Sequence, residues 1–423
     1  MAVQLQTVRT PAEEAILARL AEGGRRHTQT REKAVARLRA NGLPNRRVEA
    51  WHYTDLRTLM RDAPPPFEAF TDDLVAEAMS QSAALSLKDA AHVLFVNGRF
   101  VRHAGALEVV DADTGDQAAA AGDAYGDDGA VALHRAFAGR TTTLRVPPSH
   151  RSIVHLDFRE LGTDAFSTFP HLVIEVVEGA DVLVLETHRG PNDVSYQTHA
   201  LIEFHVASSA KVEHVRVNEA GNKALSLSTL GVDLAARAAF QSFSLSSGAN
   251  VARHQIFLRS LGEHAKIGLA GATLARGRQH ADTTLVVDHT APRCESREFY
   301  RYIVDDMATG VFQGKIVVAP NAQKTDGGMK SQTILLSDTA AMNNKPELEI
   351  FADDVVCGHG ATCGSLNENQ LFYAHARGIP PVEAEALLLE AFAGEAIDRV
   401  GDEQIREQLM DKVRDWLAQR LKS

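Results

Sequence analysis

The stretch that decides the fold is "EGADVLVL" (178–185), because the chain repeats it. "SSAKVEHV" (208–215), "AARAAFQSF" (235–243) and "GEHAKIGL" (262–269) follow the same plan. In each, a small turn residue stands two positions before an inward-reading apolar residue. Ala180 precedes Val182, Ala210 precedes Val212, Ala238 precedes Phe240 and Ala265 precedes Ile267. The alanines are 30, 28 and 27 residues apart. Each copy reads as a strand, a tight turn and a second strand with alternating apolar positions. A near-constant period of this size means stacked units, since one unit alone cannot bury its apolar face. With no helices between the strands, the pattern predicts a β-solenoid. A β-sandwich is the rival, but it has no reason to repeat one turn signature at so steady an interval.

Working outward, the β texture spans about 150 to 350. It continues through "TTLVVDHT", "REFYRYIVDDMATGVFQGKIVVAP" and "SQTILLSDTAAMNNKPELEIFADDVV", with the turn-rich "NAQKTDGG" between the last two. On the N-terminal side the reading is helical to about residue 60. Thr10 caps a helix with Pro11 at its first position, and Asn41-Gly42 stops a second helix. "PNRRVEAWHYTDL" reads as a docking segment that packs Trp51 and Tyr53 on the body. "AHVLFVNGRFV" is a hairpin around Asn97-Gly98. "DADTGDQAAAAGDAYGDDGA" reads as an acidic surface loop. On the C-terminal side, Pro380-Pro381 open a helical tail. Ile405, Leu409, Val413, Leu417 and Leu421 form its apolar stripe, which serves either to dock on the body or to face a partner. The expected divisions are 1–150 (mixed, helical), 151–377 (β-helix core) and 378–423 (helical).

Composition narrows the function. The chain has 423 residues and a formal net charge of -11, unlike a nucleic-acid or anionic-membrane binder. No apolar run approaches the ~18–20 residues that span a bilayer. The N-terminal stretch does not read as a secretory signal. Three cysteines are too few for a disulfide framework, so a reducing cytoplasm is the expected location. Phosphate-cradling, serine-hydrolase, zinc-protease and paired C-x-x-C patterns are all missing.

What chemistry remains lies in "DDVVCGHGATCGSLNENQLFYAHARGI". Cys357 and His359, at i and i+2 on an extended strand, point to the same side. Thiolate and imidazole suit iron, zinc or copper. Two ligands do not close a tetrahedral site, so the rest must come from another segment or another chain. The bland alternative is a small buried thiol beside a hydrogen-bonded histidine. Cys363 is a weaker third candidate. Cys294, in a turn, reads as structural, and His254, His264, His280 and His289 read as ordinary satisfied polar residues.

The same stretch with its lead-in, "SQTILLSDTAAMNNKPELEIFADDVVCGHGATCGSLNENQLFYAHARGI", resembles the SufB/SufD family of iron–sulfur cluster assembly proteins. "RRVEAWHYTDL" resembles the family's N-terminal aromatic motif. Gly360 after the histidine, where SufB tends to carry Glu, favours the SufD branch. Cys363 is not expected in the family pattern, and "AHARGI" lacks the serine usual before the arginine. The resemblance implies a right-handed parallel β-helix flanked by helical ends. It implies a non-catalytic scaffold subunit that pairs with SufB through the β-helix and with the ATPase SufC through the C-terminal helices; isolated, it could form a homodimer. Cys357 and His359 would then hold a transient iron–sulfur cluster, or iron, shared with SufB, and this chain alone would bind none tightly. Two other classes stay open: a homodimeric β-solenoid adaptor and a carbohydrate-active β-helix enzyme.

Overall fold

The computed structural model describes residues 9–22, 28–85, 87–105, 107–114, 125–148 and 151–420. It is mainly β, a solenoid of about 7 turns with helices at both ends. One wall of the solenoid is a sheet of β1 (Ala91–Val96), β2 (Arg99–Ala104), β5 (Ser152–Arg159), β8 (Asp181–Arg189), β10 (Lys211–Glu219), β12 (Ala239–Ser246), β14 (Lys266–Ala275), β16 (Glu295–Val304), β18 (Asp326–Leu335) and β20 (Val356–Gly364). The facing wall holds β3 (Glu108–Asp113), β4 (Arg140–Val146), β7 (His171–Val176), β9 (Tyr196–Val206), β11 (Leu225–Leu234), β13 (Val251–Ser260), β15 (His280–His289), β17 (Thr309–Val318) and β19 (Ala341–Ile350). The short β6 (Phe166–Thr168) pairs with β9. From β7 to β20 the chain alternates walls, and each strand pairs in parallel with the one a full turn earlier.

The repeat seen in the sequence is one corner of this coil. Gly179, Ser209, Arg237, His264, Arg293 and Lys324 all have φ between 58° and 71°. Each precedes a buried small or polar residue: Ala180, Ala210, Ala238, Ala265, Cys294 and Thr325. These six form one stack, each carbonyl accepting from the first N–H of the next strand, at 2.8–3.0 Å. The left-handed residue turns the chain, and the small residue lets successive turns lie close. Left-handed backbone costs ~1–2 kcal/mol for a residue with a Cβ. Five of the six positions bear that cost. The inter-turn ladder offsets it, because the turned residue donates to the next corner (Ser209 N–H to Ala236 O, 3.0 Å).

The core between the walls includes Val182, Val184, Val212, Ile202, Phe204, Phe240, Leu285 and Phe312. Full burial of such a side chain contributes ~1.5–3 kcal/mol. The lumen also carries charge. Glu186 bonds His214 (2.9 Å) and Arg216 (3.1 Å) and pairs with His188, all fully buried. Burial opposes ionisation of Glu186, but its hydrogen bonds with His188 and His214 hold the carboxyl well below the usual range.

The ends follow the sequence closely. α1 (Pro11–Ala21) has the Thr10–Glu13 capping box, and Gly42 (φ 68°) ends α2 (Gln29–Asn41); the shorter α3 (Leu56–Leu59), α4 (Asp72–Ser80) and α5 (Gly129–Phe137) follow along the chain. Asn97 and Gly98 both turn with positive φ in the β1–β2 hairpin. Trp51 is 1% exposed and donates to Asp128 Oδ2 (2.8 Å). Its ring lies 3.8 Å from the buried Arg253 guanidinium, which also donates to Ala50 O (2.8 Å) and pairs with Asp282. The aromatic segment therefore docks on the outer face of the β11–β17 wall, as expected. Residues 115–124, half of the stretch read as an acidic loop, and Leu421 of the tail stripe lie outside the described residues, and the ends of that stretch belong to β3 and to α5, which begins at Gly129.

At the other end, α7 (Pro381–Ile397) and α8 (Glu403–Arg420) lie on the outer face of the β8–β16 wall. Leu389, Ala393, Ile397, Ile405, Leu409, Val413, Trp416 and Leu417 pack there with Leu183, Val215, Phe243, Leu245 and Ile303. α6 (Glu368–Ala376), not foreseen as a helix, has no buried residue, and it exposes Phe372 and Tyr373. Among the described residues no helix is long and apolar enough to cross a membrane.

Candidate functional site

The coil ends in β19 and β20, each the last strand of its wall. The register places Cys357 beside Gly327 and His359 beside Met329. Met329 and Ser331 are buried in the lumen, so the pleat turns Cys357, His359, Ala361 and Cys363 toward that same side. Cys357 is half-buried and packs against the core. A Cβ on Gly327 would lie 3.4 Å from its sulfur, so the glycine leaves room directly beneath the thiol. Burial pushes the Cys357 thiol up from its ordinary value, against a hydrogen bond at the Gly327 backbone. Losing the proton therefore needs compensation, of the kind that a bound metal ion would supply. His359 is exposed, and among the described residues no hydrogen bond or ion pair engages its ring. Across the mouth, Asn344 Oδ1 on β19 accepts from Ser331 Oγ at 2.8 Å.

The structure thus brings Cys357 and His359 to one side of one strand and leaves Cys363 apart. Cys363 stands six residues along the strand from Cys357, ~20 Å at ~3.3 Å per residue, too far to share one metal ion. Cys294 is the fifth member of the corner stack, fully buried, its Sγ donating to Gly262 O at 3.3 Å. His280 shares a hydrogen bond with Thr54 Oγ1 (2.9 Å), and His289 with Ser296 Oγ (3.1 Å). His254 departs from expectation: it is buried and neither ring nitrogen finds a partner, and burial holds its pKa well below the ordinary value.

Two further groups were not legible beforehand. Glu298 lies in the lane of Met329 and His359, two rungs beneath the histidine. It is 1% exposed, and its carboxylate oxygens make no hydrogen bond of ordinary geometry. Burial pushes its pKa up to about 8, and the nearby Ser296 hydroxyl and Arg297 charge offset this only in part. The second group is His92, His155 and Asp157, whose ligand atoms lie within 4.8 Å of one another on the outer face of β1 and β5. Asp157 is already engaged there by Arg159 (2.9 Å from Nε), and Arg189 stands 4.0 Å away. Guanidinium groups fill the role a cation would take.

The geometry defines a class: a β-solenoid whose terminal rung presents a thiol and an imidazole on one side of its last strand. Residues 158–392 match the family "SUF system FeS cluster assembly, SufBD core domain", more than half of the chain. The chain belongs to this SufB/SufD family, and its role lies in SUF iron–sulfur cluster assembly. It is 29% identical to the iron–sulfur cluster assembly protein SufD of Escherichia coli over 404 residues, 93% of each chain. It is 30% identical to the chloroplastic protein ABCI7 of Arabidopsis thaliana over 59% of this chain and 53% of that one. A SufBD family protein of Synechocystis, slr0076, is 29% identical over 55% of this chain and 53% of its own length.

Proposed function

We propose that this chain is the SufD-type, non-catalytic scaffold subunit of a cytoplasmic SUF complex. It pairs with SufB through the terminal rung and with the ATPase SufC through its C-terminal helices. The observation that carries the reading is the position of Cys357 and His359. They stand on the last strand of a long sheet, paired to β18 on one edge and open on the other among the described residues, with Cys357 half-buried and His359 exposed. A partner strand added at that edge would bring the remaining ligands with it. Iron and sulfide are the cargo here, held in passing between the two chains.

The ATPase contact is best sought on α6 and the start of α7. Phe372 and Tyr373 are 74% and 61% exposed, and Val382 and Leu387 are exposed on α7. α7 and α8 as wholes are a poor target for deletion. Removing 378–423 would strip the outer face of the β8–β16 wall and unfold the body along with any contact.

The test is co-expression with SufB and SufC. Cys357→Ala and His359→Ala should keep the ternary complex and lose cluster assembly on it. Phe372→Glu with Tyr373→Glu should leave the SufB pair intact and release SufC. Undiminished cluster assembly by both ligand variants would overturn the reading of the site. Full retention of SufC by the α6 variant would move the docking surface elsewhere.

A further inference from the structure

We propose that Cys357 and Cys363 form a reciprocal redox latch. In two copies joined edge to edge through β20, each chain's Cys357 bonds to the other's Cys363. The functional consequence rests on the reading of Cys357 as a cluster ligand.

Three observations carry the proposal. The first is the open edge. β20 ends its sheet, with β18 on one side and no strand on the other among the described residues. Val356 N–H donates back to Thr325 O (2.9 Å). Backbone groups alternate along a strand, so those of Cys357, His359, Ala361 and Cys363 face the open side.

The second is charge. From 355 to 367, "VVCGHGATCGSLN" holds no Lys, Arg, Asp or Glu, in a chain of net charge -11. Edge strands commonly carry charge that blocks pairing with a like strand. This one offers a second copy nothing to repel, whereas most of the remaining surface of two such acidic chains does. Beside Gly358, Gly360 and Gly364 nothing lies within 4 Å of an added Cβ, so the outer face of this strand is uncovered as well.

The third is the spacing. Both thiols stand three residues from Gly360, one on each side. Antiparallel self-pairing about a twofold axis through Gly360 sets Cys357 of one copy opposite Cys363 of the other, and does so twice. Centring on any other residue separates them. With the backbone phase above, the pair is of the hydrogen-bonded type, with Cα atoms ~5.5 Å apart. Disulfides span ~4.4–6.8 Å between Cα atoms. Opposed residues also lie on one face, the lumen side for both thiols.

The oxidant is a low-molecular-weight disulfide, such as oxidised glutathione. The thiolate of Cys363, the more exposed of the two, attacks it and expels one glutathione thiolate, leaving a mixed disulfide. The thiolate of Cys357 from the other copy then attacks the Cys363 sulfur and expels the second. Two protein thiols are oxidised, one small disulfide is reduced to two thiols, and the two protons pass to the leaving thiolates. The latched pair has both Cys357 sulfurs engaged and both β20 edges occupied. It is a stored form that takes up no cluster until reduced.

The full chain should be incubated with oxidised glutathione, alkylated, run on non-reducing gels and mapped by peptide mass. The expected product is a dimer that dithiothreitol dissolves, containing a peptide linked from 357 to 363. Cys357→Ser and Cys363→Ser should each abolish it. A dimer linked 357–357 or 363–363, a link within one chain, or an arrest at the glutathione adduct would overturn the latch. Cys363→Ser should keep full cluster assembly with SufB and SufC. If Cys357→Ser loses assembly while the wild type never cross-links, the latch alone falls. If Cys357→Ser assembles clusters normally, the functional reading falls whatever the gels show.

Discussion

Replacing Glu298 with Gln tests whether the lumen beneath the terminal rung is as dry as it looks. The carboxyl is 1% exposed, and burial lifts its pKa from 4.5 to about 8. Unfolding returns it to water and to its ordinary value. Between those two pH values the folded chain holds a proton that the unfolded chain has lost, so stability falls as pH rises. Each unit of separation corresponds to ~1.4 kcal/mol. The penalty is absent below pH 4.5, ~3 kcal/mol at pH 7 and ~4 kcal/mol at pH 8. Gln keeps the size of the side chain and cannot ionise. The variant should match the wild type near pH 4.5 and exceed its stability by these amounts at higher pH. Glu160, also buried and raised to about 7, contributes a slope of the same sign to both proteins, so it cancels in the difference. Urea unfolding followed by circular dichroism at several pH values measures that difference. Parallel pH profiles from 5 to 8 would show that the carboxyl is hydrated or ionised, and the account of the lumen would fail.

Gly179→Ala should cost about 1 kcal/mol in urea unfolding: φ is +71°, nothing lies within 4 Å of the new Cβ, and five equivalent corners already carry side chains. A loss above ~3 kcal/mol would mean that backbone strain is not what limits that corner. Trp51→Ala should cost ~3–5 kcal/mol and open residues 45–55 to limited proteolysis, because the ring fills the contact with Arg253; unchanged protection would mean the segment is held by other contacts. Cys294→Ala should fold, lose no more than ~1 kcal/mol and support cluster assembly as the wild type does, since alanine fills the same place in four earlier turns; lost assembly would give that thiol a functional role.

The corner signature made the solenoid legible, because a left-handed residue followed by a small one is a local requirement that repeats with every turn. The lumenal charges were not legible. "DVLVLETHR" in β8 is apolar on both faces for most of its length, since helices cover one face and the opposite wall covers the other. Period-two alternation carries no signal in such a strand, so nothing marked Glu186 and His188 as inward. α6 escaped for the opposite reason: "ENQLFYAHA" buries no residue in this chain, so it has no apolar stripe for periodicity to find. At the site, the i, i+2 spacing of Cys357 and His359 was enough to place them on one side. What it did not contain was Glu298, 59 positions before Cys357, which reaches their neighbourhood only through two steps of strand register.

The position of the thiol and imidazole also follows from how a solenoid stops. Every interior strand has both edges satisfied by its neighbours, and its inward side chains are sealed by the turns above and below. A ligand placed there would be well oriented but unreachable. A ligand on an outer face would be reachable, yet the N-terminal segment and α7–α8 cover much of both outer faces here. Only the last rung joins the two properties: its inward side chains are aimed by the core beneath them and open to whatever docks above. β20 supplies Cys357 and His359 at inward positions, with Gly327 keeping the space under the sulfur clear. Its free backbone edge gives a second chain a way to lock in register. On the proposed function, docking and ligation would require one another, because the strand that satisfied the edge would be the one that brought the missing ligands.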